Sequence, residues 1–169
     1  MITNSYKNKV SKLVNQAKEK GLIKTYSEFC ESKTSTQTSI NESEEQYYCY
    51  TDEENNKQYS IGDIVFVSNY KYKNGNDGRK HIFVIIDYGQ AVDINYFGFL
   101  LSSQLTKATY QYNEIINKNS LNNLYKDSIV KCDDLITLSE NEIQFKIGEV
   151  TQEDLERFIS TYEKYLSES

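Results

Sequence analysis

The stretch from Ile61 to Asp87 constrains the fold more than any other part of this chain. It reads IGDIVFVSNYKYKNGNDGRKHIFVIID: an apolar run, a polar segment rich in glycine and asparagine, and a second apolar run. Runs rich in Val, Ile and Phe on either side of such a segment predict a β-hairpin with a long tip. Because both runs are apolar on both faces, we expect the hairpin to lie in the middle of a small barrel or sandwich.

The tip of this hairpin is basic, although the protein as a whole is acidic. The net charge of the chain is −6, and the tip leads directly into His81, the only histidine. An acidic total disfavours broad, nonspecific binding of nucleic acid, but it leaves room for a local basic groove. The tip is the best candidate for such a groove, since it has one acidic residue, Asp77, and four basic residues. The basic residues are Lys71, Lys73, Arg79 and Lys80.

Length and composition indicate one domain of ordinary size plus an appendage. The chain has 169 residues, of which 38% are hydrophobic, and 15 tyrosines and 7 phenylalanines supply bulky core material. The three cysteines, Cys30, Cys49 and Cys132, lie far apart in the sequence without a CxxC pair. This pattern favours a reducing, cytoplasmic setting, and it disfavours a structural zinc site. We expect no membrane span and no secretion signal, because no apolar run is long enough.

The first part of the chain differs in charge and pattern from the rest. Residues 1–30 carry a net charge of +4, residues 31–56 of −6 and residues 57–169 of −4. Apolar spacing predicts a helix over residues 4–20 and a short second helix from Thr25 to Cys30, whose apolar side consists of Tyr26, Phe29 and Cys30. Together the two helices suggest a helical hairpin. The polar segment 31–57 has the composition of a flexible linker. Alternatively, its acidic, tyrosine-bearing part, Glu44 to Glu54, folds over the basic tip and shields it.

After the hairpin, the pattern is mainly that of β-strands. Tyr88-Gly89-Gln90 is predicted to form a turn, and Gly98 to mark a bulge in the next strand. Thr151 and Asp154 predict a capping box before a closing helix, whose apolar stripe consists of Leu155, Phe158, Ile159, Tyr162 and Leu166. The strands are expected within Ala91–Ser103, Tyr110–Ile116, Asp127–Lys131, Leu135–Leu138 and Gln144–Ile147.

Four blocks in this order resemble the MazF/PemK toxins. The first is a Gly-Asp strand, Ile61–Val65, and the second is a Gly-rich loop that ends in basic residues and an apolar strand, Gly75–Ile86. The third is a strand that ends in serine, Leu100–Gln104. The fourth is an Asp-Ser-apolar-apolar strand, Asp127–Val130, with Leu135-Ile136-Thr137 after it. The resemblance covers residues 61–166, and the first 56 residues have no counterpart in the plain toxin domain.

The resemblance implies a mainly β protein with helices, an α+β fold. We expect an SH3-like small barrel of the MazF/PemK type over residues 58–169, closed by a C-terminal helix. Residues 1–30 would form a helical extension, and residues 31–57 the linker or shielding segment. The resemblance also implies a cytoplasmic homodimer that cuts single-stranded RNA without a metal or other cofactor, and a protein antitoxin as its partner.

The same resemblance indicates the site. Its usual Arg-Pro at the start of the second strand is replaced here by His81-Ile82, and its catalytic Thr/Ser position falls on Ser102. A histidine serves as base or acid at neutral pH, while a guanidinium and a hydroxyl stabilise charge on a phosphate. We therefore expect His81, Arg79 and Ser102 to be catalytic. The expected RNA-binding residues are Tyr70, Lys71, Tyr72, Lys73, Lys80 and Gln104.

Two functions from different classes remain open at this point. The first is a toxin-type endoribonuclease that leaves a 2′,3′-cyclic phosphate and a 5′-hydroxyl. The second is a catalytically inactive barrel that binds RNA or a protein, which the missing Arg-Pro and the acidic total favour. A lone histidine at a strand end is also commonly structural, and Ser102 can equally satisfy a strand-end amide.

Overall fold

The computed structural model describes residues 2–32, 59–67, 80–91 and 94–169. The helices in these ranges are α1 (Asn4–Glu19), α2 (Tyr26–Ser32) and α3 (Gln152–Glu168). Eight strands form one sheet, so the predicted α+β architecture is confirmed. The strands are β1 (Ile23–Thr25), β2 (Asp63–Val67), β3 (His81–Ala91), β4 (Ile94–Ser102), β5 (Asn113–Ile116), β6 (Ser128–Lys131), β7 (Leu135–Leu138) and β8 (Ile143–Glu149).

The predicted hairpin lies at the centre of the sheet. The strand order is β1-β7-β4-β3-β2-β8, and the β5–β6 pair branches from β4. β2 and β3 pair antiparallel, with Val67 opposite His81 and Ile64 opposite Val84. Every residue of β2 is buried, as the apolar character of both of its faces predicts. The two faces of this hairpin therefore carry two separate apolar clusters.

The larger cluster, called the main cluster below, lies between the sheet and the two long helices. α3 begins with the predicted capping box, in which the Thr151 side chain accepts a hydrogen bond from the Asp154 backbone N–H. The predicted apolar stripe of α3 is fully buried. α1 is capped by Thr3, whose side chain accepts a hydrogen bond from the Tyr6 backbone N–H, and the helix packs against α3 and β3. The residues of the main cluster in α1 and β2 are Tyr6, Val10, Leu13, Val14, Ala17, Ile64 and Phe66.

The smaller cluster, called the second cluster below, lies on the opposite face under α2. Alternation along β2 and β3 turns Val65, Val67 and Phe83 toward this side. α2 follows β1, which pairs in parallel with β7 and so anchors the helix at that edge of the sheet. The helix contributes three buried side chains to the second cluster, the same three that the sequence predicts for its apolar side: Tyr26, Phe29 and Cys30.

Three predictions of local structure are wrong. The turn at Tyr88–Gln90 is absent, because β3 continues through it to Ala91. The β-register shifts between Ile85 and Asp87, opposite Gly98, so the extra residue of the bulge belongs to β3 and not to β4. β5 begins only at Asn113, after a turn that contains Tyr110, since this segment pairs with no strand before that point. Gly98 itself is required for packing, because a Cβ there would lie 2.9 Å from the Val84 carbonyl oxygen.

The N-terminal extension is tied into the fold by a strand that the sequence did not predict. β1 separates α1 from α2, so the predicted helical hairpin contains a short strand between its helices. Through α1 and α2 the extension contributes to both apolar clusters. The predicted shielding segment and hairpin tip lie outside the described residues. None of the helices in the described ranges combines the length and hydropathy that a membrane span requires.

Candidate active site

His81 begins β3 at the edge of the second cluster. Its ring is half-buried, and it packs edge-on against Phe29 of α2, with the ring centroids 4.9 Å apart. The hydroxyl of Tyr26 lies 3.3 Å from Nδ1 of the imidazole. Phe83, two residues along the same strand, lies 6.4 Å away, centroid to centroid. The imidazole therefore lies at the border of the second cluster and outside the main cluster.

Ser102 ends β4 at the same end of the sheet. The β3–β4 register pairs Phe83 with Leu100 and ends at Ile82 with Leu101, so His81 and Ser102 are the residues that adjoin the last pair. Alternation gives His81 the side of Phe83 and Ser102 the side of Leu100, and both of these neighbours belong to the second cluster. The predicted histidine and the predicted hydroxyl therefore lie at the same end and on the same side of the sheet.

The Ser102 hydroxyl also has a structural partner. Its Oγ accepts a hydrogen bond of 3.2 Å from the backbone N–H of Gln104, which is the strand-end contact that the sequence left as an alternative. This bond uses a lone pair of the oxygen, and the O–H of serine can still donate. A structural contact and a hydrogen bond to a phosphate oxygen are thus compatible at Ser102. Gln104 itself is half-buried and lies two residues beyond the strand end.

Lys80 points away from the imidazole. Its ammonium lies 6.0 Å from the ring centroid of Phe66, a residue of the main cluster. Neighbouring residues of an extended chain project to opposite sides, so Lys80 and His81 face different sides of the sheet. Among the predicted site residues, His81 and Ser102 adjoin the last pair of the β3–β4 ladder, Ser102 is bonded to the backbone of Gln104, and the ammonium of Lys80 lies on the other side. Arg79, Tyr70, Lys71, Tyr72 and Lys73 lie outside the described residues.

Two neighbours of the imidazole were not predicted as site residues from the sequence. Tyr26 and Phe29 are each 1% exposed and belong to the N-terminal extension, more than fifty positions before His81 in the chain. The apolar side of a short helix was the only signal that they carried. Nothing in the local pattern indicated which strand the helix would cover. The extension therefore forms one wall of the site.

The second cluster offers neither a thiolate nor a metal site to the chemistry. Burial raises the pKa of the Cys30 thiol to about 11, although a hydrogen bond from Tyr26 opposes this shift. The thiol is therefore protonated at neutral pH, and it is a poor nucleophile in that form. In the described part of the chain, no group of three or more His, Cys, Asp or Glu side chains is arranged to hold a metal ion. The groups at this edge that suit acid–base chemistry are the imidazole and the hydroxyls beside it.

Comparison with known proteins identifies the family. A search of curated proteins finds no match to this chain. A family model described as "PemK-like, MazF-like toxin of type II toxin-antitoxin system" matches residues 60–162, which is more than half of the chain. The match begins just before β2 and ends within α3, so it contains His81 and Ser102 but not α1, β1 or α2. Toxins of this family are endoribonucleases that bind an antitoxin, and the eight-stranded sheet with its helices is consistent with their barrel fold. The chain belongs to the PemK-like, MazF-like toxins of type II toxin-antitoxin systems.

Proposed function

We propose that this protein is a metal-independent endoribonuclease that cuts single-stranded RNA and leaves a 2′,3′-cyclic phosphate and a 5′-hydroxyl. The observation that carries the proposal is the end of the β3–β4 pairing at Ile82 and Leu101, because His81 and Ser102 adjoin this last pair inside the family-matched segment. An imidazole and a hydroxyl at one edge of a sheet are suited to act on one phosphodiester. The half-buried ring keeps one side within reach of solvent.

In the proposed reaction, His81 acts as the general base. It removes the proton of the ribose 2′-hydroxyl, and the 2′-oxygen then forms a bond to the adjacent phosphorus. The bond from phosphorus to the 5′-oxygen breaks, and that oxygen takes a proton from solvent water. The Ser102 hydroxyl donates a hydrogen bond to a phosphate oxygen while negative charge develops there. The imidazolium later returns its proton to water, so the enzyme is unchanged after each cleavage.

The remaining predicted residues bind the substrate in this proposal. Arg79 and Lys80 lie immediately before His81 in the sequence, and Arg79 supplies positive charge to the phosphate. Lys80 binds a neighbouring phosphate from the other side of the strand. Lys71 and Lys73 contact the RNA backbone, whereas Tyr70 and Tyr72 stack on unpaired bases. The Gln104 side chain hydrogen-bonds to a base edge next to the cleaved phosphate.

We propose that the protein works as a homodimer in the cytoplasm and that a cognate antitoxin covers the RNA groove. Both proposals extend the family assignment to this chain. An acidic antitoxin segment would complement the basic hairpin tip. The same surface would then bind either RNA or antitoxin.

A cleavage assay tests the proposal directly. The purified full chain is incubated with unstructured and structured RNA in the presence of EDTA, and the product ends are identified by mass spectrometry. We expect cleavage of unstructured RNA to yield 2′,3′-cyclic phosphate ends. His81→Ala should lower kcat/KM by about 10²–10⁴-fold, the range for loss of a general base. Ser102→Ala should lower it less, by about 10–100-fold, because only one hydrogen bond to the transition state is lost.

A matched serine provides the control. Ser160 is exposed on α3, away from the sheet, and Ser160→Ala should leave cleavage within twofold of wild type. Circular dichroism establishes that each variant is folded before its rate is compared. Uncut RNA with the wild-type protein, or a folded His81→Ala variant that cuts at the wild-type rate, contradicts the proposal.

The alternative function is a catalytically inactive MazF-like barrel that binds RNA or a protein as a regulatory module. The observation that favours it is the packing of His81 against Phe29 and Tyr26, because such contacts also suit a purely structural histidine. Gel-shift measurements on the same unstructured RNA discriminate between the two functions. Binding by wild type without any cleavage would identify the module, whereas cleavage that depends on His81 would exclude it.

A further inference from the structure

We propose that Tyr26, from the N-terminal extension, is a positioning residue for His81, and that it fixes the tautomer in which the imidazole acts as the base. This inference rests on the proposed nuclease function and adds to it a residue outside the family-matched segment. Tyr26 begins α2, and the match begins only at residue 60. The extension would therefore contribute directly to the chemistry of the barrel.

Tyr26 contacts His81 through its hydroxyl and through its ring. The Tyr26 hydroxyl and His81 Nδ1 are 3.3 Å apart, and the two rings meet edge-on with centroids 6.0 Å apart. Tyr26 is 1% exposed, so bulk water does not compete for this contact. Phe29 and Phe83 pack against both rings and limit their rotation. A hydrogen bond held in this way orients the imidazole through Nδ1.

The neighbours of the Tyr26 hydroxyl determine the direction of its hydrogen bond to His81. The Tyr26 hydroxyl has one proton, and the Val67 carbonyl oxygen, at 3.5 Å, can only accept it. The Cys30 sulfur is a further acceptor within reach of the same hydroxyl. If the hydroxyl donates toward these groups, its oxygen accepts from Nδ1–H of His81. The neutral ring is then the Nδ1–H tautomer, in which Nε2 carries the lone pair that takes the 2′-hydroxyl proton.

A histidine at this position needs an orienting group, and the extension supplies one. The resemblance places arginine where His81 stands, and a guanidinium is protonated at all physiological pH values. An imidazole works as a base only in its neutral form and only with the correct nitrogen toward the substrate. Replacement of arginine by histidine therefore creates a need for an orienting group. Tyr26 meets that need from a helix that packs on the same face of the sheet.

Titratable and charged groups surround the ring on several of the described elements. On α2 they are Tyr26 and Cys30, and the Cys30 thiol is protonated at neutral pH because burial raises its pKa to about 11. At the same end of the sheet, the neutral hydroxyl of Ser102 adjoins the last pair of β3 and β4. The charged residues near this cluster are Glu28 and Glu31 on α2, Lys80 on the strand of the ring, and Glu142, whose charge, like that of Glu31, acts on the Cys30 thiol.

The test uses the one histidine of the chain. Because no other imidazole is present, its ¹⁵N NMR signals need no assignment, and they report which nitrogen carries the proton. In the wild-type protein above the pH of protonation, we expect the Nδ1–H tautomer to dominate. Tyr26→Phe removes the hydroxyl and keeps the ring, so the population should shift toward the Nε2–H tautomer. The same variant should lower kcat about tenfold with KM within twofold of wild type, and change the pH profile of kcat.

The matched control is Tyr162→Phe. The hydroxyl of Tyr162 is also buried, but it has no hydrogen-bond partner in the described structure, and its ring lies in the main cluster. This variant should change neither the tautomer nor kcat. A wild-type ring in the Nε2–H form overturns the inference without any variant, as does a Tyr26→Phe protein whose tautomer and pH profile equal those of wild type.

Failure of the inference is distinguishable from failure of the proposed function. A wild-type protein that does not cut RNA overturns the nuclease, whereas the tautomer measurement needs no activity. Cleavage that depends on His81 but is indifferent to Tyr26→Phe supports the nuclease and overturns the positioning role. Loss of kcat together with the tautomer shift supports both.

Discussion

The two faces of the sheet differ in what covers them and in what they contain. The main cluster lies under α1 and α3, which have 16 and 17 residues, whereas the second cluster lies under α2, which has 7. The main cluster is apolar apart from tyrosine hydroxyls and a thiol. The second face holds the buried carboxylate of Asp63 at one end of β2 and His81 opposite the other end. Most of the buried apolar side chains therefore lie on one face, and the candidate site lies on the other.

This difference follows from the alternation of β2 and β3. Ile64 and Phe66 face the long helices, while Val65 and Val67 belong to the cluster under α2. Alternation gives Asp63, two residues before Val65, the same side of the sheet as Val65. A face closed by a short helix leaves its ends near solvent, and polar groups can lie there at a lower desolvation cost. The candidate site occupies such an end. Destabilising substitutions on the two faces should accordingly differ in their effect on the activity of the folded protein.

The largest expected effect comes from a pair of phenylalanine truncations, one on each face. Phe158 of the main cluster is 0% exposed and Phe29 of the second cluster is 1% exposed. Phe158→Ala and Phe29→Ala should each lower the free energy of unfolding by about 3–5 kcal/mol, because each leaves a cavity in packed surroundings. Only Phe29→Ala should also slow RNA cleavage by the folded protein, since its ring holds the imidazole at 4.9 Å. Urea titration and cleavage rates at low temperature provide the two measurements.

Two outcomes would contradict the proposed difference between the two faces. If Phe158→Ala slows cleavage by the folded protein as much as Phe29→Ala does, the two faces are coupled and the proposed difference is wrong. If neither variant affects cleavage, the wall that α2 forms beside His81 has no part in the reaction.

Much of the main face could be predicted from the sequence, because its signals are local. In α3, the capping box of Thr151 and the apolar stripe at helical spacing lie within one segment, and both are present in the structure. The central position of the hairpin followed from the apolar character of both of its faces. By contrast, the three residues of β1 carry no pattern of their own. They form a strand only because β7, more than a hundred positions away, offers a parallel edge.

The site was only partly predictable for the same reason. The resemblance selected His81 and Ser102, and both adjoin the last residue pair of β3 and β4. Nothing selected Tyr26, because its contact with His81 joins residues 55 positions apart through a helix whose sequence indicates only an apolar side. The turn assigned to Tyr88–Gln90 failed because pairing with β4 overrides the local preference of a Tyr-Gly-Gln segment. Long-range packing determined each feature that the pattern missed.

An intermediate effect is expected at Asp63, the polar group at the other end of the second face. Its carboxylate is joined to the Lys146 ammonium at 3.1 Å and accepts a hydrogen bond from the Ser60 N–H. Burial raises the pKa of Asp63, and the bonds from Ser60 and Lys146 only partly oppose this shift. The pKa of Lys146 is also raised, since its hydrogen bonds to Glu149 and Asp63 outweigh its burial. The interaction therefore favours the charged form of Lys146, but it does not fully offset the cost of burying the charged form of Asp63.

The sign of the pH dependence follows from this direction. A carboxyl group whose pKa is higher in the folded state binds a proton on folding, so its contribution to stability is present below the unfolded pKa and is lost as the pH rises through the folded pKa. Lys146→Met should cost about 1–2 kcal/mol at pH 7, a value reduced because the lysine side chain is 40% exposed. The cost should shrink as the pH falls and Asp63 becomes protonated. Urea titrations of wild type and variant between pH 4 and pH 7 measure it, with Lys164→Met, an exposed lysine of α3, as the control. A cost that does not change with pH would show that Lys146 does not act through the carboxylate.

The smallest effect comes from two tyrosine hydroxyls in the main cluster, and it tests whether that face relies on polar contacts. The Tyr6 hydroxyl donates a hydrogen bond of 2.9 Å to the Ile86 carbonyl oxygen, at the bulge of β3, whereas the buried Tyr162 hydroxyl has no partner among the described residues. Tyr6→Phe should lower the free energy of unfolding by about 1 kcal/mol, because it leaves a buried carbonyl without this donor. Tyr162→Phe should leave stability unchanged or raise it slightly, since a hydroxyl without a partner costs free energy to bury. Thermal unfolding resolves the difference, and equal effects of the two substitutions would mean that the main face gains nothing from its one bond to the bulge.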